Sequence, residues 1–343
     1  MHFAFTEDQL AFRDALRDLL EKQCPPSAVR AQWEGGDGYD PALWRQLGEM
    51  GVFGVLASEQ NGGLGLSELE LVLILEEIGR SAMPGPIVEQ CAVAIPIMSR
   101  ATNAGTKWLL RAIAGEVVVT TGASWLPGIP WGNEADLLLI EKEGRVYAVT
   151  QEQVSGRKAL SSVDHSRRSA KIAWSNGIEL DEVDLGKANN RGVLGTAAQL
   201  VGLAEHLIAI TSQYTKQRKQ FGVPIGSYQA IKHQLADAHL AIEYTKPVVY
   251  RAAYALTHNE PDASRDTSFA KVYANRAAEL AARVALQCHG AIGYSFEYDL
   301  HLWMKRVWVL SNSWGDTAWH RSCVSYALLG PDLNAISSGT TAH

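Results

Sequence analysis

The sequence predicts a mainly α-helical protein with a small β unit set between two helical zones. Three changes of pattern predict it. Apolar residues recur at helical spacing from Thr6 to about Glu116. From Val117 to about Leu185 they fall into short runs and alternations, and from Asn190 onward the helical spacing returns. A chain of 343 residues is too long for one ordinary core. The predicted units are therefore an N-terminal helical domain over 1–116, a middle β domain over 117–189 and a C-terminal helical bundle over 190–343.

In the first zone, Thr6-Glu-Asp-Gln9 carries a helix-capping signature, and Leu10, Leu16, Leu19 and Leu20 share one side of the helix that follows. A second helix is predicted over Pro41–Met50, with Pro at an early helical position. Asn61 to Gly65 is a turn before another helix over Ser67–Gly79, and Pro84-Gly-Pro86 breaks the chain again. In the middle zone Val117–Thr121 and Leu137–Ile140 read as buried strands. Arg145–Val149 and Ala170–Trp174 alternate, with Glu143-Gly144 and Asn176-Gly177 as hairpin-type turns. In the last zone Ile231, Leu235, Ala238, Ile242, Thr245, Val249, Ala252 and Leu256 form the seam of a long bundle helix that Pro247 should kink. Phe269, Val272, Asn275, Leu280, Val284 and Gln287 make a weaker third stripe.

Composition excludes several functions. A formal charge of −6 argues against a nucleic-acid binder. The four cysteines are far apart and form no CxxC or Cys/His cluster, which fits reduced thiols and no metal site. No signal peptide is evident and no run reaches the roughly 18 apolar residues of a membrane span, so a cytoplasmic location is expected. Walker, HExxH, GxSxG and GxGxxG motifs are absent, so a dinucleotide, if bound, is not held by a Rossmann fold.

Two segments remain as candidates. Arg218 to His233 places Gly222, Pro224 and Gly226 in a loop between two helices, with Arg218 at its entrance. An Arg there suits a pyrophosphate clamp, although an ordinary loop with a solvated Arg fits the spacing as well. Gln287-Cys-His-Gly-Ala-Ile-Gly-Tyr294 is a helix giving way to a glycine loop, which suits backbone approach to phosphate. Taken alone it reads better as a helix C-cap, with His289 a packed or capping residue.

Together and in order, these segments resemble the acyl-CoA dehydrogenase family, as do Phe5-Thr-Glu-Asp-Gln9, Gly62-Gly-Leu-Gly65 and Leu75-Glu-Glu-Ile-Gly79. The resemblance runs along almost the whole chain. It implies the acyl-CoA dehydrogenase fold: N-terminal helices, a middle β domain and a C-terminal four-helix bundle. It also implies FAD between the β domain and the bundle. Arg218, Gln220, Phe221 and Ile225 would contact one part of the dinucleotide, and Gln287, Gly290 and Ala291 would do so from across a subunit interface. The implied reaction is α,β-dehydrogenation of an acyl-CoA thioester. A carboxylate takes the α-proton, a hydride leaves the β-carbon for the flavin, and electron-transferring flavoprotein takes the electrons.

The sequence departs from the family where the base belongs. Counting back from Arg321, Trp314 stands where the usual Glu should be, and Thr257 at the position some members use instead. An indole N–H cannot accept a proton at neutral pH. Asp316 is a substitute base on one reading and a capping or surface residue on the other; Glu260 is a weaker candidate. The β domain is short and lacks the Trp-Ile-Thr/Ser segment that packs on the flavin. Trp125, Trp131 and Trp314 are bulky residues in or near the expected pocket. No CoA-binding residue is assigned, since Arg191 lies close to, but not at, the family's phosphate-pairing position. The chain is similar to the short subunits without a Glu in heteromeric actinobacterial dehydrogenases of steroid side-chain CoA esters. The alternatives are a self-sufficient homo-oligomer using Asp316, or a flavin-free scaffold.

Overall fold

The computed structural model describes residues 4–330 except 37, 103–104 and 124–125. Trp125 therefore lies outside the described residues. The N-terminal unit is built from α1 (Glu7–Gln23), α2 (Pro26–Glu34), α3 (Pro41–Glu49) and α4 (Glu68–Arg80). After the Pro84–Pro86 break come a π-helical turn (Val88–Ala94), α5 (Ile95–Met98) and α6 (Gly105–Ile113). The predicted caps are present. Thr6 Oγ1 accepts from the Gln9 amide while Gln9 Oε1 accepts from the Thr6 amide, and Ser67 and Glu70 repeat the pattern for α4. The short α2 and the π-helical turn have too few periodic positions to stand out in the sequence.

The β unit has two small sheets. One is β1 (Val119–Ala123), β3 (Leu137–Lys142), β4 (Arg145–Thr150) and β7 (Ile178–Glu179), in the order β1-β3-β4-β7. The other is β2 (Ile129–Pro130), β6 (Ser169–Trp174) and β5 (Val154–Ala159), in the order β2-β6-β5. Ile129 of one sheet packs with Leu138, Ile140 and Val149 of the other. Glu143-Gly144 closes the β3–β4 hairpin with both residues at positive φ. Asn176-Gly177 does not close a hairpin, against expectation. The strands on its two sides join different sheets, so the turn hands the chain from one sheet to the other.

The bundle comprises α7 (Leu185–Gln217), α8 (Gln229–Thr257), α9 (Ala263–His289), α10 (Leu300–Asn312) and α11 (Thr317–Leu329). Helix α7 begins before Asn190 because Asp184 caps it, accepting from the Lys187 amide at 2.9 Å. Every residue from Gly192 to Ala204 is buried, as expected for a helix that is apolar all round. By length and composition α7 could cross a membrane, but 72% of its apolar window is buried inside the bundle. The predicted seam of α8 is buried from Ala238 to Leu256, and the helix runs on through Pro247. The stripe predicted for α9 is corrected in part: Asn275 and Val284 are buried as expected, and the other four are not. Its inner face is Ala270, Ala274, Ala277, Ala278, Ala281 and Ala285, while Phe269, Val272 and Leu280 are half-buried and Gln287 is exposed. Small residues let α9 approach α7 closely, so the larger side chains are left at the margin.

Buried Arg306 of α10 ties the three units together. It donates to Asp164 and, at 2.5 Å, to Ser166 of the β unit, and at 3.0 Å to the Met83 carbonyl of the N-terminal unit.

Candidate functional site

One group of expected residues lies at one end of the bundle. Past Gln217 the chain makes a tiny hairpin from β8 (Lys219–Gln220) and β9 (Val223–Pro224). Its two-residue turn, Phe221-Gly222, has φ of 54° and 84°, the signature of a type I′ turn. A bulky side chain at positive φ is a genuine outlier, and this one is 93% exposed. Arg218 and Gln220 are also exposed, and among the described residues no carboxylate pairs with Arg218. Ile225 is half-buried, its amide donating to the Arg218 carbonyl at 2.8 Å. Tyr214, one turn before Arg218, stacks on His289 with ring centroids 4.2 Å apart. That contact brings the end of α9, with Gln287, Gly290 and Ala291, beside the end of α7 in the same protomer. Gly290 has φ 64°, and a Cβ there would meet nothing within 4 Å, so its backbone is open to a ligand. His289 is a packed residue, bonded to the Ala285 carbonyl at 2.7 Å and the Tyr298 hydroxyl at 3.2 Å.

A second group surrounds the turn between α10 and α11. Fully buried Lys271 donates to the carbonyls of Leu310 at 2.7 Å and Ser311 at 3.2 Å. Burial brings its ammonium down to about 7. Asn275 donates to the Ser311 carbonyl at 3.0 Å and to Thr317 Oγ1 at 2.9 Å. His320 Nε2 stands 2.9 Å from the Trp314 carbonyl, so it must donate, leaving Nδ1 to accept from Ser268 at 3.2 Å. Burial lowers this imidazole to about 4 and keeps it neutral. Within this clamp Trp314 takes φ 57° and lays its indole on Gly192 of α7, where a Cβ would stand 2.6 Å from the ring.

The other acidic candidates are engaged. Exposed Asp316 caps α11, its carboxylate accepting from the Trp319 amide at 2.8 Å. The Thr257 hydroxyl donates to Glu68 at 3.0 Å, and the same buried carboxylate holds Arg191 at 2.8 Å. Glu260 is paired with Arg251, which holds its carboxyl below the usual range.

A third feature lies between the β domain and the bundle, where the resemblance places the flavin, but is lined by residues the sequence reading did not name. A groove of about 370 Å³ opens between the β unit and α10, with Pro127, Gly128, Leu160, Ser161 and Ser162 on one side and Val309 on the other. Arg167 lines it and also lines an inner cavity of about 10 Å³, which Trp131, Glu89, Thr196 and Gln199 help to fill. That volume is barely one water. Trp131 is 2% exposed and donates to the Gly38 carbonyl at 3.4 Å, so it is a wedge between the N-terminal and β units. The sequence signal that could have found this site is Asp164-His-Ser-Arg-Arg168, two adjacent arginines close to an Asp on the segment between two strands.

Comparison with known proteins covers both helical parts. The profile of the acyl-CoA dehydrogenase N-terminal domain matches residues 6–116, and that of the acyl-CoA dehydrogenase C-terminal domain matches 187–329. Acyl-CoA dehydrogenase IpdE2 of Mycobacterium tuberculosis is 30% identical over 305 residues, 88% of this chain and 91% of that protein. Among solved structures, the ChsE4-ChsE5 complex from M. tuberculosis superposes with a TM-score of 0.83 at 21% identity, covering all of both chains. Butyryl-CoA dehydrogenase from Megasphaera elsdenii gives 0.83 at 22% identity, over 96% of this chain and 100% of that one.

Proposed function

Because the chain belongs to the acyl-CoA dehydrogenase family, we propose that it is the partner subunit, without a base of its own, in a hetero-oligomeric FAD-dependent acyl-CoA dehydrogenase. The observation that carries this reading is the indole of Trp314 on Gly192, in a turn clamped from α9 and α11. The family's Glu would stand at this place, and removing a general base typically costs about 10²–10⁴ in rate. A sister chain supplies the carboxylate, and electron-transferring flavoprotein receives the electrons.

The residues present fit a flavin dinucleotide. The groove between the β unit and α10 has the volume of a small-ligand site. Arg218, which pairs with no carboxylate among the described residues, offers its guanidinium for a diphosphate, and Gly290 a backbone no Cβ obstructs. Phe221, Gln220 and Ile225, with Gln287, Gly290 and Ala291 beside them at the same end of the bundle rather than across an interface from them, would hold one part of the dinucleotide. Bound flavin supplies the hydride acceptor. This chain's task is then to bind it and exclude water from it, with Trp314 and Trp131 filling space that an acyl group would otherwise occupy.

The test is to express the chain alone and with a full-length sister dehydrogenase, and to record the flavin spectrum and turnover with acyl-CoA thioesters. Colour or activity only on co-expression is the expected result. A yellow, active chain on its own would favour a homo-oligomer with Asp316 as base, and a colourless protein in both cases would favour a scaffold.

A further inference from the structure

We infer that Arg167 is the residue through which this chain grips the carbonyl-bearing edge of the flavin ring in the groove between the β unit and the bundle. The inference rests on the functional reading above and deepens it.

The turn carrying Arg167 is rigid. Ser166 donates to Asp164 through its hydroxyl at 2.6 Å and its amide at 3.1 Å, and Arg306 holds both residues from the bundle. The two arginines differ sharply in their partners. Arg306 uses its guanidinium on Asp164, Ser166 and the Met83 carbonyl. Arg167 is half-buried, with its side chain 11% exposed, and among the described residues it meets one acceptor, Glu89, at 3.4 Å. A guanidinium has five N–H donors, so most of those on Arg167 are left without an acceptor among the described residues. The groove is where the missing acceptors belong, because Arg167 forms part of its wall.

The groove's other residues describe the ligand. Pro127, Leu160 and Val309 are apolar, whereas Ser161, Ser162 and Ser169 are polar. A flat ring with apolar faces and one carbonyl-rich edge matches that mixture. The acyl chain of a substrate matches it less well, since the inner cavity that Arg167 also lines holds about one water. Glu89 lies on the π-helical turn, a feature frequent at functional sites, and its side chain is 6% exposed. It is a countercharge that holds Arg167 in place while leaving most of its donors for the ring. A flavin reduced there by hydride would carry one negative charge, and Arg167 would stand beside it to stabilise that charge. The protein thereby tunes the cofactor's electronics through a fixed charge.

The experiment uses whichever assembly is yellow, and compares Arg167→Gln, Arg167→Lys and Glu89→Gln with the wild type by flavin affinity and midpoint potential. In Arg167→Gln the reduced flavin should be disfavoured at least tenfold relative to the oxidised form, a drop of about 30 mV for a two-electron couple. Arg167→Lys should fall between, keeping charge but losing the fork, and Glu89→Gln should move the potential upward. If Arg167→Gln does not fold, the opposite shifts of the other two variants carry the test. A yellow assembly whose potential and flavin affinity stay unchanged in these variants overturns this inference alone. So does a variant set that alters only the affinity for acyl-CoA thioesters. A colourless wild-type assembly overturns the functional reading, and this inference with it.

Discussion

The indole of Trp314 rests on the bare backbone of Gly192, at the point where the α10–α11 turn meets the first helix of the bundle. Each residue makes the other possible: the glycine leaves the space and the indole fills it. Gly192→Val should therefore expel the indole and destabilise the chain by about 1–3 kcal/mol, the usual cost of overpacking. Combining it with Trp314→Ala should recover part of that loss. A denaturant-unfolding double-mutant cycle checks this, and simple additivity would show that the two residues are not coupled.

Asp316 offers a clean separation of cap from base. Asn is as good an N-cap as Asp, so Asp316→Asn should leave stability and the turnover of the assembled enzyme nearly unchanged. Asp316→Ala should cost about 1 kcal/mol of stability and again spare turnover. Loss of turnover in the Asn variant with flavin retained would identify Asp316 as the base.

Phe221 sits where a type I′ turn prefers Asn or Gly. Phe221→Asn should raise the stability of the free chain by up to about 1 kcal/mol, since the left-handed conformation penalises an ordinary side chain by about that much. Flavin retention should fall at the same time, because the exposed ring is a proposed contact. Thermal unfolding and flavin release measured on one preparation give the two opposite signs.

Glu76 is buried where α4 meets α8 and accepts from the Tyr250 hydroxyl at 3.1 Å. Burial, together with nearby Glu205, raises its carboxyl to about 8. The unfolded chain therefore releases this proton near pH 4–5, and the folded chain only near pH 8. Its contribution is fully present below the unfolded value and fades as pH rises, by about 1.4 kcal/mol per unit between the two. Glu76→Gln should match the wild type near pH 4.5 and gain on it steadily up to about pH 8. A pH series of unfolding free energies in which the two run parallel would contradict this.

Much of the architecture was legible because local chemistry decides it. The capping boxes at Thr6 and Ser67, the Glu143-Gly144 turn and the apolar seam of α8 act over a few residues, and each formed as read. What failed was non-local. The Asn176-Gly177 pair forms a turn, but which strands flank it depends on sheet partners far along the chain. On α9 the alanines turned inward while Phe269, Val272 and Leu280 stayed at the margin, since the distance to α7 selects for small side chains.

The same division runs through the site. By itself the sequence determined that Trp314 stands in the turn after α10 and that Arg218 and Gly290 flank two bundle segments, because these are matters of order and spacing. Only the tertiary structure decided that Trp314 meets Gly192, that Asp316 is spent as a helix cap, and that Arg167 reaches both the groove and the inner cavity. Those relations depend on which side chains face one another across helices and sheets distant in sequence. Hydrophobic period and motif spacing carry no record of that.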